Sequence, residues 1–212
     1  SGMAGMAAAV FAASRGLTVV QIGNGGGILF ASGLLDLLAV QPVSASRTWE
    51  DPFAAMATLT HDDPEHPLAR VAPDAIREAF GTFVSALESA GIAFAPLDGR
   101  NRRILTSVGT VRHAYGVPRS MVAGAAALET RGPCLLVDFR GLREYSARQI
   151  VATNGAAWPG LRAGRVEFPG YEAVTELYAA HLARALEDPA IRGPAIERVR
   201  PLIGDAASVG FP

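Results

Sequence analysis

No lysine occurs among the 212 residues; all 19 basic side chains are arginine. With abundant Ala and Gly, this reads as nucleotide-composition bias rather than function. An excess of either charge is also missing. The 19 Arg face 20 Asp and Glu, a net charge of −1, so no field draws the chain to nucleic acid or to an anionic membrane surface. Cysteine is nearly absent. Cys134 is the single thiol, which excludes an intrachain disulfide and fits a reducing cytoplasm. It opens an apolar run ending at Phe139 that reads as a buried strand, which makes it a core cysteine rather than a reactive one. Long apolar runs are missing too. Met3 to Ala13 has no basic leader and is well short of the roughly 20 residues a membrane span needs. Half of the residues are apolar, enough to bury the core of one large domain or two small ones.

What is present begins with a glycine turn, Ser1 to Gly5, and an Ala-rich helix from Met6 to Ser14 that Gly16 can stop. Leu17 to Ile22 reads as a strand. Gly23-Asn24-Gly25-Gly26-Gly27 is too flexible for a regular element, and Ile28 to Val40 is an apolar block with Ser32, Gly33 and Asp36 embedded. Residues 41–72, rich in Pro, His and Asp, read as an irregular surface excursion. Ile76, Phe80, Phe83, Val84 and Leu87 set a helix over Pro73 to Ala90. Short strands and turns follow from Ala93 to Val122. Leu135 to Phe139 is a strand, Glu144 to Asn154 a helix, and Tyr171 to Glu187 a longer one. Asp188-Pro189 then starts a last helix as N-cap and first-turn proline, which Pro201 tends to end.

The chemistry lies in the glycines. A dinucleotide fold uses strand, G-x-G-x-x-G, helix, because the glycines allow close backbone approach to a pyrophosphate at the helix N-terminus. Ser1, Gly2 and Gly5 supply x-G-x-x-G, with the strand and first glycine expected ahead of Ser1. Many such folds place a carboxylate at the end of the second strand to bind ribose. Gln21 stands there instead, either bonding a hydroxyl or simply ending a strand. Ser32 either donates to a flavin or phosphate oxygen or caps a helix. Asp36, among leucines, is expected to be a buried carboxylate held by a structural hydrogen bond. His61 and His66 sit among Asp62, Asp63 and Glu65. Their spacing matches no metal pattern, so an exposed polar loop is expected and no metal site is assigned. Arg100, Arg102 and Arg103 read as a solvated turn, and His181 as a surface residue.

The stretch Gly25 to Leu38, with its Ser-Gly-x-Leu-Asp-Leu-Leu block at Ser32 to Leu38, resembles the B-subunit family of anaerobic glycerol-3-phosphate dehydrogenase. His66-Pro67-Leu68, Gly109-Thr110-Val111-Arg112 and Val209-Gly210-Phe211-Pro212 resemble later elements of that family, in the same order. The likeness runs along the whole chain. It implies that the chain is part of such a polypeptide, with a C-terminal return of the flavin domain expected beyond Pro212.

The resemblance implies an α/β fold: an incomplete dinucleotide-binding, Rossmann-like flavin region over residues 1–40, then a cap or substrate region over 41–212. It implies FAD, with FMN as the alternative, held by Ser1, Gly2, Gly5, Gly25, Gly26, Gly27, Ser32 and Gly33. The implied reaction is oxidation of sn-glycerol 3-phosphate to dihydroxyacetone phosphate, with electrons passed to a quinone. Arg112, Thr110 and Arg119 are the candidates to receive the substrate phosphate, and His113 the candidate base. The implied partners are a catalytic A-type subunit and a membrane-anchoring iron-sulfur subunit, which would hold a cytoplasmic protein at the inner face of the cell membrane. Two other readings stay open: a non-catalytic flavin-binding or assembly subunit, and a dinucleotide-fold interaction domain without flavin.

Overall fold

A computed structural model describes residues 2–23 and 32–212. Contacts divide them into two units, Ser1–Arg102 with His113–Val122, and Arg103–Arg112 with Ala123–Pro212.

In the first unit the Ala-rich segment forms helix α1, Met3–Ser14, and Gly16 follows it at φ +74°. Leu17 to Ile22 is not a strand. No sheet partner for it is found among the described residues, and Val20 and Ile22 are 77% and 90% exposed. A strand persists only where a neighbour takes its backbone hydrogen bonds. The excursion over 41–72 is less irregular than its composition suggests, because it contains helix α2, Pro52–Asp62. The Asp51 side chain caps it by accepting from the Phe53 and Ala54 amides, and Pro52 occupies the first turn. Such a cap is worth about 1 kcal/mol. Helix α3, Pro73–Ser89, turns Ile76, Phe83 and Val84 inward. Its apolar face meets α1 through Met3, Ala7, Val10 and Phe11, and meets α2 through Phe53 and Met56.

Strands β1, Arg102–Leu105, and β2, Val111–Ala114, form a two-stranded hairpin. Its tip, Arg103–Arg112, clusters with the second unit. Helix α4, Val122–Thr130, follows.

The second unit is built on a parallel sheet. Strand β3, Cys134–Phe139, is buried at every position. This suits the centre of a parallel sheet covered on both faces. Cys134 and Leu136 pack on one face with Ile150, Trp158 and Leu161. Leu135, Val137 and Phe139 pack on the other with Phe168, Leu177 and Leu182. Helix α5, Ala147–Asn154, leads to strand β4, Leu161–Val166; helices α6, Ala179–Leu186, and α7, Pro189–Ile203, lead to strand β5, Ser208–Gly210. The sheet order is β4-β3-β5, with both flanking strands parallel to β3. An α/β chain with a parallel sheet is consistent with the dinucleotide-binding class expected from the sequence, but the sheet lies in residues 134–210 and not in residues 1–40.

Two helical expectations change. Residues 171–178 are not helical, so α6 begins only at Ala179. The Leu177 amide donates to the Gly141 carbonyl and the Arg143 amide to the Leu177 carbonyl, both at 2.8 Å. This bridge holds Leu177 extended and fully buried; tertiary pairing has overridden local propensity. Pro201 does not end α7, which continues to Ile203. Arg162 donates to the carbonyls of Leu202 and Ile203 at 3.1 and 2.6 Å. These bonds supply partners for the end of the helix.

Candidate functional site

The glycine turn opens α1 with Gly2 as its N-cap, in extended backbone at φ −96°. Among the described residues no side chain caps this helix, and no acid stands in its first turn. The N–H groups at a helix start need acceptors, and the helix dipole favours an anion there. A Cβ built on Gly2 would meet nothing within 4 Å among the described residues. Gly5 lies inside the first turns of α1. This end of the helix fits the diphosphate of a dinucleotide. Ser1 and the second glycine run, Gly25, Gly26 and Gly27, lie outside the described residues.

Ser32 and Gly33 follow. Ser32 Oγ accepts from the Leu34 amide at 3.4 Å, so the hydroxyl serves a local turn. Gly33 has φ +76°, which favours glycine, and a Cβ there would press on Pro118 Cγ at 3.3 Å. Leu35 is extended, giving its amide to the Gly116 carbonyl at 2.9 Å and accepting from the Gly116 amide at 2.8 Å. Leu35 is buried and Asp36 exposed. The expectation of a buried Asp36 is therefore corrected, because extended backbone alternates its side chains. Asp36 instead borders an apolar groove of about 410 Å³ between α1 and α3, lined by Met3, Ala7, Phe11, Phe80 and Phe83.

The Gly-Thr-x-Arg block forms the return of the β1–β2 hairpin. Gly109 has φ +85° and donates its amide to the Thr106 carbonyl at 2.9 Å. Asn154 Nδ2, at the end of α5, donates to the Gly109 carbonyl at 2.9 Å. The Thr110 hydroxyl lies 2.8 Å from the Thr106 hydroxyl, so it is engaged inside the turn. Arg112 is exposed and His113 half-buried on β2. Successive strand residues point to opposite faces, so the two address different sides of the hairpin. Arg119 is exposed in a short turn, its amide donating to the Ala93 carbonyl at 2.9 Å.

The other singled-out residues hold structure. His66 Nδ1 accepts from the Leu68 amide at 3.1 Å, capping a short turn. Arg100 pairs with Glu50 at 2.5 Å and Arg102 with Asp98 at 2.7 Å. His181 Nδ1 accepts from the Tyr178 amide at 3.3 Å where α6 starts. Cys134 is buried in β3.

Three groups went unnoticed in the sequence. Asp138, 2% exposed in β3, was hidden inside the run that marks the strand. Near it, Tyr145 packs against the sheet. Burial first, and the charges of Asp138 and Cys134 second, push its phenol far above the ordinary range. In the first unit Tyr115 sits edge-on to Phe53 and Phe80. Burial raises its phenol as well, with Arg77 opposing and Asp98 adding.

A glycine turn at the start of α1 in an α/β chain with a parallel sheet is consistent with a dinucleotide-binding protein, and the family comparison is specific about the dinucleotide. The profile of the FAD binding domain family matches residues 1–198. The chain belongs to that family, and FAD is its cofactor. Among curated relatives it is 35% identical over 116 residues to a protein of Vibrio vulnificus (strain YJ016), covering 54% of this chain and 26% of the relative. It is 33% identical over 159 residues to one of Vibrio cholerae serotype O1 (strain ATCC 39315 / El Tor Inaba N16961), covering 73% of this chain and 32% of the relative. Both relatives are named as the B subunit of anaerobic glycerol-3-phosphate dehydrogenase. The chain thus spans about a quarter to a third of the length of the curated relatives it matches. No solved structure matches it significantly.

Proposed function

We propose that the chain is the FAD-binding part of a glycerol-3-phosphate dehydrogenase B subunit that oxidises sn-glycerol 3-phosphate to dihydroxyacetone phosphate and passes electrons to a quinone. The observation that carries it is the match to the FAD binding domain family together with the open N-terminus of α1. The substrate comes from the names of the relatives. Bound FAD supplies the two-electron acceptor. Gly2 and Gly5 hold its pyrophosphate, and the cofactor-binding part lies in residues 1–40, with 41–212 as cap and substrate region. Gly25, Gly26, Gly27, Ser32 and Gly33 are the further candidates to contact the cofactor.

Arg112 receives the substrate phosphate, with Thr110 shaping the turn that presents it; Arg119 is a second candidate for that phosphate. His113 is the nominated acceptor of the hydroxyl proton. The partners in this reading are an A-type catalytic subunit and an iron-sulfur subunit at the inner face of the cell membrane. No described helix is long and apolar enough to cross a membrane.

The second reading, a flavin-binding or assembly subunit without its own chemistry, is favoured by Gln21 standing where a ribose-binding carboxylate is common and by the separated faces of Arg112 and His113. The test is dye reduction driven by glycerol 3-phosphate. The full-length FAD-loaded subunit is assayed alone and with its partner subunits. Turnover by the subunit alone supports the first reading; turnover only in the complex supports the second. Absence of turnover in both removes the substrate assignment.

A further inference from the structure

Asp138 and Arg165 hold equivalent places in the sheet, each the last but one residue of its strand, and the β3–β4 register sets them opposite one another. Arg165 Nη2 donates to Asp138 Oδ2 at 2.7 Å and Nε to the same oxygen at 3.3 Å. The Asp138 side chain is 3% exposed, whereas that of Arg165 is 52% exposed. Asp138 Oδ1 is buried with no hydrogen-bond partner.

Burying a carboxylate this deeply is costly, and an apolar pair would usually serve a sheet at least as well. The neighbouring arginines differ. Arg140 with Glu167, Arg143 with Glu176 and Arg198 with Glu172 pair with carboxylates that are at least 41% exposed. Such surface pairs form and break at little cost. Arg165 alone of the four is gripped from inside the sheet, along the Nε–Nη2 edge of its guanidinium. The Nη1–Nη2 edge is thereby aimed away from the carboxylate, fixed in direction before anything binds. A planar guanidinium held this way is suited to a phosphate. Its location also matters, because open α/β sheets take their ligands outside the carboxyl ends of the strands.

We propose that Arg165, aimed by Asp138, receives the phosphate of a small phosphate monoester at the carboxyl end of the parallel sheet. The inference goes beyond the glycerol 3-phosphate reading and does not rest on it: Arg165 forms a phosphate subsite additional to the one assigned to Arg112. Arg165 is a binding residue. Asp138 is a positioning residue, acting through it.

Inorganic phosphate and glycerol 3-phosphate are titrated calorimetrically into the full-length FAD-loaded protein and into Arg165→Gln, Asp138→Asn and Arg140→Gln. Arg165→Gln should weaken both ligands by about tenfold to a hundredfold, with flavin content unchanged. Asp138→Asn should weaken them less. Arg140→Gln should stay within about twofold of the parent. A purely structural role for Asp138 would lower the thermal midpoint without moving the phosphate affinity of the folded protein. If Arg165→Gln fails to fold, Arg165→Lys keeps the charge without the planar fork and should bind phosphate severalfold more weakly. Phosphate affinity unchanged in a folded Arg165 variant, or no phosphate binding by the parent protein, overturns the proposal. Phosphate binding that depends on Arg165, with no oxidation of glycerol 3-phosphate, leaves the proposal standing and removes the functional reading instead.

Discussion

Asn154 grips the hairpin return at Gly109: its Nδ2 donates to the Gly109 carbonyl at 2.9 Å and to the Ile150 carbonyl at 3.0 Å. The approach is close enough that a Cβ on Gly109 would lie 3.1 Å from that nitrogen. The Gly-Thr-x-Arg block is thus docked on α5 by a side chain 45 residues later.

Replacing Asn154 by Ala should cost about 1–3 kcal/mol, since it removes both bonds and strands a partly buried carbonyl. Urea unfolding measures this. A midpoint unchanged in Asn154→Ala would mean that the hairpin tip is not held through this contact.

Gly141 follows β3 at φ +83°, and a Cβ there would come within 2.7 Å of the Val174 carbonyl oxygen. Gly141→Ala should therefore destabilise the protein by more than the roughly 1 kcal/mol of a simple left-handed penalty. It should also loosen the bridge between Leu142 and Leu177. Hydrogen exchange at the Leu177 amide reads the second effect; protection equal to that of the parent protein would contradict it.

Gly2→Val probes the flavin turn. Among the described residues nothing lies within 4 Å of a Cβ at Gly2, and its φ is −96°, so the fold should tolerate the substitution. The added side chain occupies space the pyrophosphate needs. Flavin absorbance in the full-length protein should fall sharply at an unchanged thermal midpoint of the stripped protein. Full flavin occupancy in the variant would remove the assignment of this turn.

Arg112→Ala in the full-length enzyme should raise the Michaelis constant for glycerol 3-phosphate by about tenfold to a hundredfold, as expected for loss of a charge-assisted contact. Flavin content should not change. Equal losses of flavin and activity would mark a folding role.

Tyr145 predicts a stability profile. Its phenol is raised above 10.0, chiefly by burial, so the folded state prefers the neutral form. The stabilisation is complete below the unfolded value near 10 and is lost as pH rises towards the folded value. Urea midpoints should hold to about pH 10 and decline beyond it. Tyr145→Phe should reduce that decline, leaving the part that Tyr115 contributes. An identical alkaline slope in the variant would rule Tyr145 out.

Some of this architecture could be read directly from the residues. The run from Cys134 to Phe139 announces a buried strand because parallel strands covered on both faces need no polar alternation. Its neighbour β4 stayed hidden, since Leu161–Val166 carries Arg162 and Arg165, whose roles depend on partners far along the chain. Helix α2 was overlooked although Asp51-Pro52 carries the same start signal as Asp188-Pro189; the surrounding His and Asp residues disguised it. Residues 171–178 show the opposite error, a helical pattern defeated by the pairing of Leu177 with the turn at Gly141. For the site, the glycines at 2 and 5 were legible as the start of α1, and their role at a pyrophosphate is the reading proposed above. The Asp138–Arg165 pair was not, because only the strand register brings together residues that are 27 apart.

The hairpin of residues 102–114 also governs how the protein can be divided. The chain enters the second unit at Arg103, leaves it after Arg112 and returns at Ala123, so neither unit is one uninterrupted stretch of polypeptide. No single cut yields both intact. Residues 123–212 expressed alone would lack Leu105, which packs on the sheet, and the carbonyl that Asn154 grips. During synthesis the order is equally awkward: the tip leaves the ribosome 45 residues ahead of its anchor and must wait, undocked, for α5 to follow it.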